Sequence, residues 1–499
     1  MRLGPVRVAR LPHLLAATTG LAAISVCAYV AVSRMGYPYA LEWLEGNSLV
    51  EVGRLLAGRP LYSAPTADYV PDAYPPLYFA ASAVLAGLLG LSYLPLRLLS
   101  LVAALGCFVL LARLVQRETG DLAAGVATAG LYAATYFAAA SWFDFARVDS
   151  LFLLLSLAGL HTARWMRRPG QAVAAGLLLS AAFLAKQSAL AEAAVISVTL
   201  LCGPRRRLGG LLAATFAAVV GLTTLVWGLG SHGWYVFYVF RILAQHPLDR
   251  SAPAGFWTWY LLPTLGIALV AALLAVRRTP PVVALGCLAL AVEGYAGLLH
   301  SGGAVNNMLP VYAAVALLAG IAMGGATPSP RTLVAGALVL AQFAVLAMGA
   351  SAAGRTIPDA ADRRVGDRLR AWLAGFDGPV AILSDPGLSV LAGLPPVAHR
   401  AAAADVLRGS GSAAREALER SIRRAVTERR FAAIVVGRPA ELRGFPADLT
   451  RYYRRCPERL LADVPRGVFR PVGGGPPAPS TLWLPIGRDS CAEAARRLG

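Results

Sequence analysis

"LYFAASAVLAGLLGLS", residues 77–92, decides how this chain is threaded. The stretch is apolar throughout, yet as a helix it is only about 24 Å long, short of the ~30 Å hydrocarbon core of a bilayer. Eleven further apolar runs surround it, at 14–32, 95–114, 122–140, 150–164, 171–186, 188–203, 208–229, 257–276, 281–299, 308–325 and 332–351. If 77–92 crosses, the basic clusters Arg113/Arg117, Arg164/Arg167/Arg168, Arg205/Arg206/Arg207 and Arg277/Arg278 all face outward. If it lies in the outer interface or dips back, every one of them becomes cytoplasmic, as the positive-inside rule prefers. The second reading follows. It gives a polytopic α-helical membrane protein with about 11 transmembrane helices, a cytoplasmic N-terminus and an extracytoplasmic tail.

Composition agrees. Hydrophobic residues make up 57% and charged residues 15%, which excludes an ordinary soluble globular protein. The first run follows Arg2, Arg7 and Arg10 and lacks a clear small-residue cleavage site, so it reads as a retained span. The net charge of +19 comes largely from arginines between apolar runs, which is topology, so no nucleic-acid partner is expected. The six cysteines have no metal spacing. Four lie in apolar runs, while Cys456 and Cys491 lie in the tail and are available to pair in an oxidising compartment.

The same threading gathers the polar segments on one face. These are the 34–75 loop, "WFDFARVDS" (142–150), Lys186-Gln187, "SHGWYVFYVFRILAQHPLDR" (231–250) and "HSGGAVNN" (300–307). One equipped face suits an enzyme at the outer leaflet of a cell membrane. A transporter needs polar groups near the midplane, often on helices broken at matching points of two repeats. Here only Glu192 and Glu293 read as buried charges, and no repeat is evident.

The tail, 353–499, shifts to charged, loop-rich sequence and reads as a small extracytoplasmic α/β domain. "PVAIL" (379–383) and "AAIVV" (432–436) have strand character, and 359–373 and 412–429 read as helices. "GGGPPAPS" (473–480) is a loop, and a last helix follows Ser490 as its cap. In the membrane domain, 1–352, the first outer loop (34–94) opens with an approximate apolar stripe over 40–57. That predicts an amphipathic helix lying on the membrane, with Glu42, Glu45 and Glu51 projecting from it. Taken singly, such acids need do no more than solvate a surface helix.

The pattern is more specific than single acids. Glu45-Gly46 lies shortly after the first span, then "GRPLY" (58–62), then "DAYPPLYF" (72–79), and a further acid in "ARVDSLFLLLSL" (146–157). This set resembles the GT-C superfamily of polyprenyl-phosphate-sugar-dependent glycosyltransferases. It is most similar to the glycosyltransferase family 39-like branch, with the protein O-mannosyltransferases and the bacterial aminoarabinose-lipid A transferases. The resemblance covers roughly 15–205 well and the later spans loosely. It implies a polyprenyl-phosphate-linked sugar donor, membrane lipids around the site, and a glycan, lipid or protein acceptor. It also implies that Glu45 matches the first-loop catalytic acid, Asp72 the acid before Pro-Pro, and Asp149 the second-loop acid. The chain departs from the pattern with Glu where Asp is usual at 45, and with Tyr74 where His or Lys precedes Pro-Pro.

The chemistry suits such a set. A departing phosphate needs no general acid but does need cations, and an acceptor hydroxyl needs a base within hydrogen-bond reach. The expected roles are Glu45 as base, Asp149 with Asp72 positioning the acceptor, and Arg147 and Lys186 binding phosphate. No His, Cys or carboxylate cluster has a dedicated metal spacing, so no cofactor is required, and a divalent metal, Mg or Mn, held by Glu45 and Asp149 with the donor phosphate stays open. Tyr74, His300, Asn306 and Asn307 are expected to contact substrate, the amides suiting sugar hydroxyls. Plainer accounts remain open. Asp144 and Arg147 stand at i,i+3 and can pair, and a lone His at a span end is often structural. Trp142, Phe143 and Phe145 suit an aromatic belt. The aromatics of 234–240 suit either such a belt or a helix guiding a polyprenyl tail. Lys186, the chain's single lysine, can simply snorkel. A transporter or flippase of lipid-linked sugars, and a scaffold whose tail binds a partner, are the alternative functions.

Overall fold

Helix Leu11–Met35 begins the chain described by the computed structural model, which covers residues 11–325, 327, 329–351, 355–409, 412–465, 467–474, 478–487 and 490–496. Arg2, Arg7 and Arg10, the domain boundary at 352/353 and residues 475–477 of the expected loop lie outside these. The further long helices are Tyr93–Thr119, Leu122–Ala134, Asp149–Trp165, Pro169–Ala185, Ala189–Leu201, Arg206–Gly230, Ala252–Ala275, Pro281–Leu299, Met308–Met323 and Pro330–Ser351. They coincide with the eleven apolar runs. Among the described residues seven helices are long and apolar enough to cross a membrane, and the chain is a multi-pass membrane protein.

Short stop signals reverse the chain. Gly120 takes φ 74° and returns its N–H to Gln116 O at 2.8 Å, a left-handed helix end that glycine adopts without strain. Asp121 then caps the next helix, accepting from Ala124 N at 3.0 Å, and its other oxygen meets His13 Nδ1 at 2.9 Å. The first helix packs on Leu122–Ala134 with Gly20 facing Gly130, where an added methyl would fall on the Gly20 backbone. Such close approach is the usual means of helix association in lipid.

The helices alternate in direction, so their ends collect in two sets. At one end Arg164 Nε donates to Glu118 at 2.5 Å, and Arg205 Nη1 donates to the carbonyls of Ala163 and Arg164 at 3.2 and 2.8 Å. The other end collects the first loop, residues 135–148, Lys186, the 231–250 and 300–307 segments, and the tail. Helix Leu77–Leu89, the segment on which the threading turns, has 13 residues, about 20 Å. It sits at this second end, where Tyr78 Oη donates to Leu96 O at 2.9 Å, and Gly90 at φ 85° turns the chain directly into Tyr93–Thr119. Its outer face, with Val84 and Leu88, is uncovered by protein. The chain thus enters and leaves this short helix at the same end of the bundle.

The first loop corrects one expectation. The helix is Glu45–Leu56 rather than 40–57, and it does not offer its acids to solvent: Glu42, Glu45 and Glu51 are all buried. The tail covers the polar face, with Tyr39 entering the tail's own core beside Val365, Leu369 and Phe469.

In that tail the expected helices and strands appear as Ala360–Leu373, Ala413–Thr427, β1 Val380–Ile382 and β2 Ala433–Val436. The last helix, Cys491–Arg496, follows Ser490, whose Oγ accepts from Glu493 N. Sequence reading missed helices Pro386–Leu391 and Arg400–Arg408 and the strands β3 Tyr453–Arg455 and β4 Thr481–Pro485. β1 and β2 are parallel, and β4 lies antiparallel between β2 and β3. Cys456 and Cys491 form a disulfide.

With Cys202→Ala as background, cysteines placed at the exposed positions 59 and 167 are expected to react with a membrane-impermeant maleimide from opposite sides. Labelling of both from one side contradicts the threading.

Candidate active site

At the polar end of the bundle a cavity of about 640 Å³ is lined from three directions. The first loop supplies Asp72 and Tyr74, the helix ends supply Arg147, Lys186, Gln187, Glu293, His300, Asn306 and Asn307, and the tail supplies Arg400, Asp405 and Arg408. Eight of the nine sequence-predicted site residues lie on this wall or one contact behind it; the ninth is Glu45.

Arg147 is central. It is nearly fully buried, held between the Tyr74 and Trp142 rings at 5.2 and 5.7 Å from its guanidinium carbon. Nη2 donates to Tyr74 Oη at 3.2 Å, Nη1 lies 3.5 Å from Asp72 Oδ2, and Nε has no partner. Asp72 is also half-committed. Oδ1 accepts from Asn47 Nδ2 at 2.8 Å, its backbone N donates to Glu51 Oε1 at 2.6 Å, and Oδ2 has no hydrogen bond. Burial drives the Asp72 carboxyl above its ordinary value, against the pull of Arg147 and Asn47.

Lys186 ends helix Pro169–Ala185, and Asp149 begins Asp149–Trp165. Lys186 Nζ donates to Asp149 Oδ1 at 2.9 Å and to Asn307 Oδ1 at 3.1 Å. Asp149 Oδ1 also accepts from Asn306 Nδ2 at 2.9 Å, and Asp149 Oδ2 is unpartnered. Both amides therefore tie the charged pair together. Lys186 spends two of its three N–H bonds on this set. His300 sits on the cavity wall, with its segment pinned to 247–249 by Asp249 N to Leu299 O at 2.7 Å and Ser301 N to Pro247 O at 2.9 Å.

Glu45 stands apart from the cavity. Oε1 accepts from Arg97 Nε at 3.0 Å and Ala146 N at 2.7 Å, and Oε2 accepts from Arg97 Nη2 at 2.6 Å and Leu41 N at 2.7 Å. Burial pushes this carboxyl up, but Arg97 and the two amides outweigh it and hold it below its ordinary value. A carboxylate so occupied has no oxygen free to take a proton. The expected base role does not match this geometry, because Arg97, an arginine inside an apolar run, claims the acid first. A divalent ion shared by Glu45 and Asp149 does not fit either, since only Asp149 Oδ2 remains open. Among the described residues no group of three or more His, Cys, Asp or Glu side chains converges as a metal site.

Two plainer accounts also shift. Asp144 pairs with Arg34, not Arg147, through bonds of 2.9 and 2.7 Å, and Tyr136 Oη adds a third at 2.8 Å. Arg34 also donates to Ser141 O at 3.1 Å, holding a turn in which Ala140 and Ser141 take φ 48° and 63°. Trp142, Phe143 and Phe145 are buried in the fold rather than spread as a belt, as are Tyr235 and Tyr238. The residues around the cavity that sequence reading did not single out are Arg97, Asn47 and the tail's Arg400 and Arg408, and Glu51, expected to face solvent, is buried beside Asp72.

Neither a family model nor a curated protein matches the sequence. Solved structures match the fold. ArnT from Cupriavidus metallidurans, bound to undecaprenyl phosphate, aligns with TM-score 0.53 and 15% identity over 76% of this chain and 85% of its own. The archaeal oligosaccharyltransferase AglB from Archaeoglobus fulgidus, in complex with an inhibitory peptide and a dolichol-phosphate, aligns with TM-score 0.52 and 13% identity. That match covers 87% of this chain and 72% of AglB. The chain shares the fold of these two proteins over most of its length. Within it, the charged cavity lies at the polar end of the bundle, beneath the tail.

Glu45→Gln is expected to cost about 3–5 kcal/mol by leaving the Arg97 guanidinium buried and uncompensated. The measurement is the melting temperature of the purified protein. Unchanged melting with lost turnover would return the base role to Glu45.

Proposed function

We propose that this chain is an integral-membrane glycosyltransferase. It transfers a sugar from a polyprenyl-phosphate donor to a hydroxyl of a glycan, lipid or protein acceptor, at the outer face of the cell membrane. One observation carries the reading: Asp72 Oδ2, a buried carboxylate oxygen without a hydrogen bond, stands 3.5 Å from Arg147, whose Nε is equally unpartnered. A base and a phosphate ligand side by side in one membrane-end cavity are what this transfer requires. The fold relatives supply further support, since the ArnT structure holds undecaprenyl phosphate and the AglB structure a dolichol-phosphate.

In this reading Asp72 takes the acceptor hydroxyl's proton as the oxygen attacks the anomeric carbon. The phosphate leaves toward Arg147 Nε and the remaining Lys186 N–H, and single in-line displacement inverts the anomeric centre. Asp149, behind Lys186, holds the ammonium in place rather than touching the sugar. Asn306 and Asn307 position that pair, and Tyr74 and His300 shape the walls. No step is routed through a metal. The arginine-rich end of the bundle is cytoplasmic by the positive-inside rule, so the cavity opens outward. A flippase needs a polar path through the bundle, whereas this cavity is built at one end of it.

Asp72→Asn is expected to lower turnover about 10²–10⁴-fold, the range for loss of a general base. Arg147→Met and Lys186→Met are expected to weaken donor use while the protein stays folded. The assay is transfer from a panel of radiolabelled polyprenyl-phosphate sugars. Only the ionised Asp72 accepts a proton, and burial raises its folded-state pKa. Activity is therefore present above that raised value and is lost as pH falls through it, at a less acid pH than an ordinary carboxylate would give. A pH profile without this acid limb would exclude Asp72 as the base.

A further inference from the structure

The roof of the cavity belongs to the tail. Helix Arg400–Arg408 lies across its mouth and is gripped from several sides. His399, just before it, accepts from Ala401 N at 3.1 Å through Nδ1, and its Nε2 donates to Trp43 O at 3.2 Å and Ser384 O at 3.3 Å. Burial pushes the pKa of this imidazole down to about 3, so it serves as a neutral connector. Ala398 N donates to Ala67 O at 3.0 Å in the first loop. His246 Nε2, from the 231–250 segment, donates to Asp405 O at 3.0 Å. The helix is a fixed wall of the cavity.

That wall carries two arginines. Arg408 is paired with Asp405 one turn earlier. Arg400 is half-buried and lines the cavity, and its guanidinium makes no hydrogen bond or ion pair among the described residues. Glu441 feels its charge across a second, smaller cavity that both residues line, but its oxygens bond to Gly437 N and Arg438 N, both at 3.1 Å, and not to Arg400. The cavity's other cations each have a carboxylate, Arg147 with Asp72, Lys186 with Asp149 and Arg408 with Asp405. A planar fork of donors with no carboxylate bonded to it, on the wall of the cavity, is a site for a planar or tetrahedral oxyanion.

We propose that Arg400 binds an anionic group of the substrate, a phosphoryl or carboxylate oxygen, and that the tail is thereby part of the active site. The inference rests on the glycosyltransferase reading. The donor's phosphate and an acidic group on the acceptor share this chemistry, and the test separates them.

Full-length protein in nanodiscs is titrated with undecaprenyl phosphate, and separately with inorganic phosphate, as wild type, Arg400→Met, Arg400→Lys and Arg147→Met. Loss of one charge-assisted contact is expected to weaken one probe about tenfold or more in Arg400→Met, with Lys restoring much of it. Weakened undecaprenyl phosphate binding assigns Arg400 to the donor. Unchanged undecaprenyl phosphate with weakened inorganic phosphate assigns it to the acceptor's acid. If neither probe shifts by more than about twofold in a variant that melts like wild type, the proposal is overturned. Should Arg400→Met melt early, Arg400→Gln, which keeps a polar stem, is read by the same criterion. Undecaprenyl phosphate binding that is indifferent to Arg147→Met sinks the donor reading itself, whatever Arg400 does with inorganic phosphate.

Discussion

The site depends on one buried carboxylate, Glu45. Its two oxygens gather Leu41 of its own loop, Arg97 of helix Tyr93–Thr119 and Ala146 of the segment before Asp149. Arg97 spends its remaining donors on Tyr37 O and Tyr39 O, both at 2.6 Å. Burying two charges costs several kcal/mol each, and the cost is recovered only when nearly every donor and lone pair is used. Here they are. The pair then sets the position of everything nearby. Ala146 is bonded directly to Glu45, so Arg147, the next residue, has its backbone located to within one peptide unit. The helix that Glu45 starts also carries Asn47 and Glu51, which between them fix the side chain and backbone of Asp72.

Against that satisfied hub, the cavity is marked by groups left incomplete. Asp72 Oδ2, Asp149 Oδ2, Arg147 Nε, Glu293 Oε2 and Gln187 Oε1 are buried without hydrogen bonds. Each such atom costs about 1–3 kcal/mol while it lacks a partner. In the proposed reaction, substrate atoms partner those of them that line the cavity. The contrast separates Glu45, with every lone pair used, from Asp72, which lines the cavity with one oxygen free.

Much of the architecture was legible because length and arginine placement obey strict rules in a bilayer. The 77–92 run was too short to cross, and the structure turns it back at Gly90. Residue types around the site were legible too, since Asp72, Arg147 and Lys186 stand out in apolar or aromatic surroundings. Their pairing was not. Glu45, Asp72 and Asp149 look alike in sequence, and only the fold shows that Arg97 neutralises the first. A signal existed, for an arginine inside "YLPLRLLSL" (93–101) is costly unless paired. Sequence distance offers Asp144 only a neighbour such as Arg147 at i+3 as a partner, whereas the structure gives it Arg34, 110 positions away. Helix Arg400–Arg408 was missed because "RAAAADVLR" has a weak apolar stripe, and its place over the cavity is a tertiary fact.

Lys186 shows why residue type matters within such a site. Its ammonium meets Asp149 and Asn307 from a single nitrogen and still has an N–H to offer. A guanidinium spreads its donors over the three nitrogens of a planar fork. Such a fork cannot bring one atom to both partners and to a ligand. Arg147 works in the opposite way, with Tyr74 and Asp72 on two arms of the fork and Nε open on the third. In the proposed transfer, a point charge on one wall and a fork on the other would offer a phosphate two approaches that do not compete for the same counter-ion. That division accounts for a lone lysine in a chain whose other basic side chains, histidine aside, are all arginine.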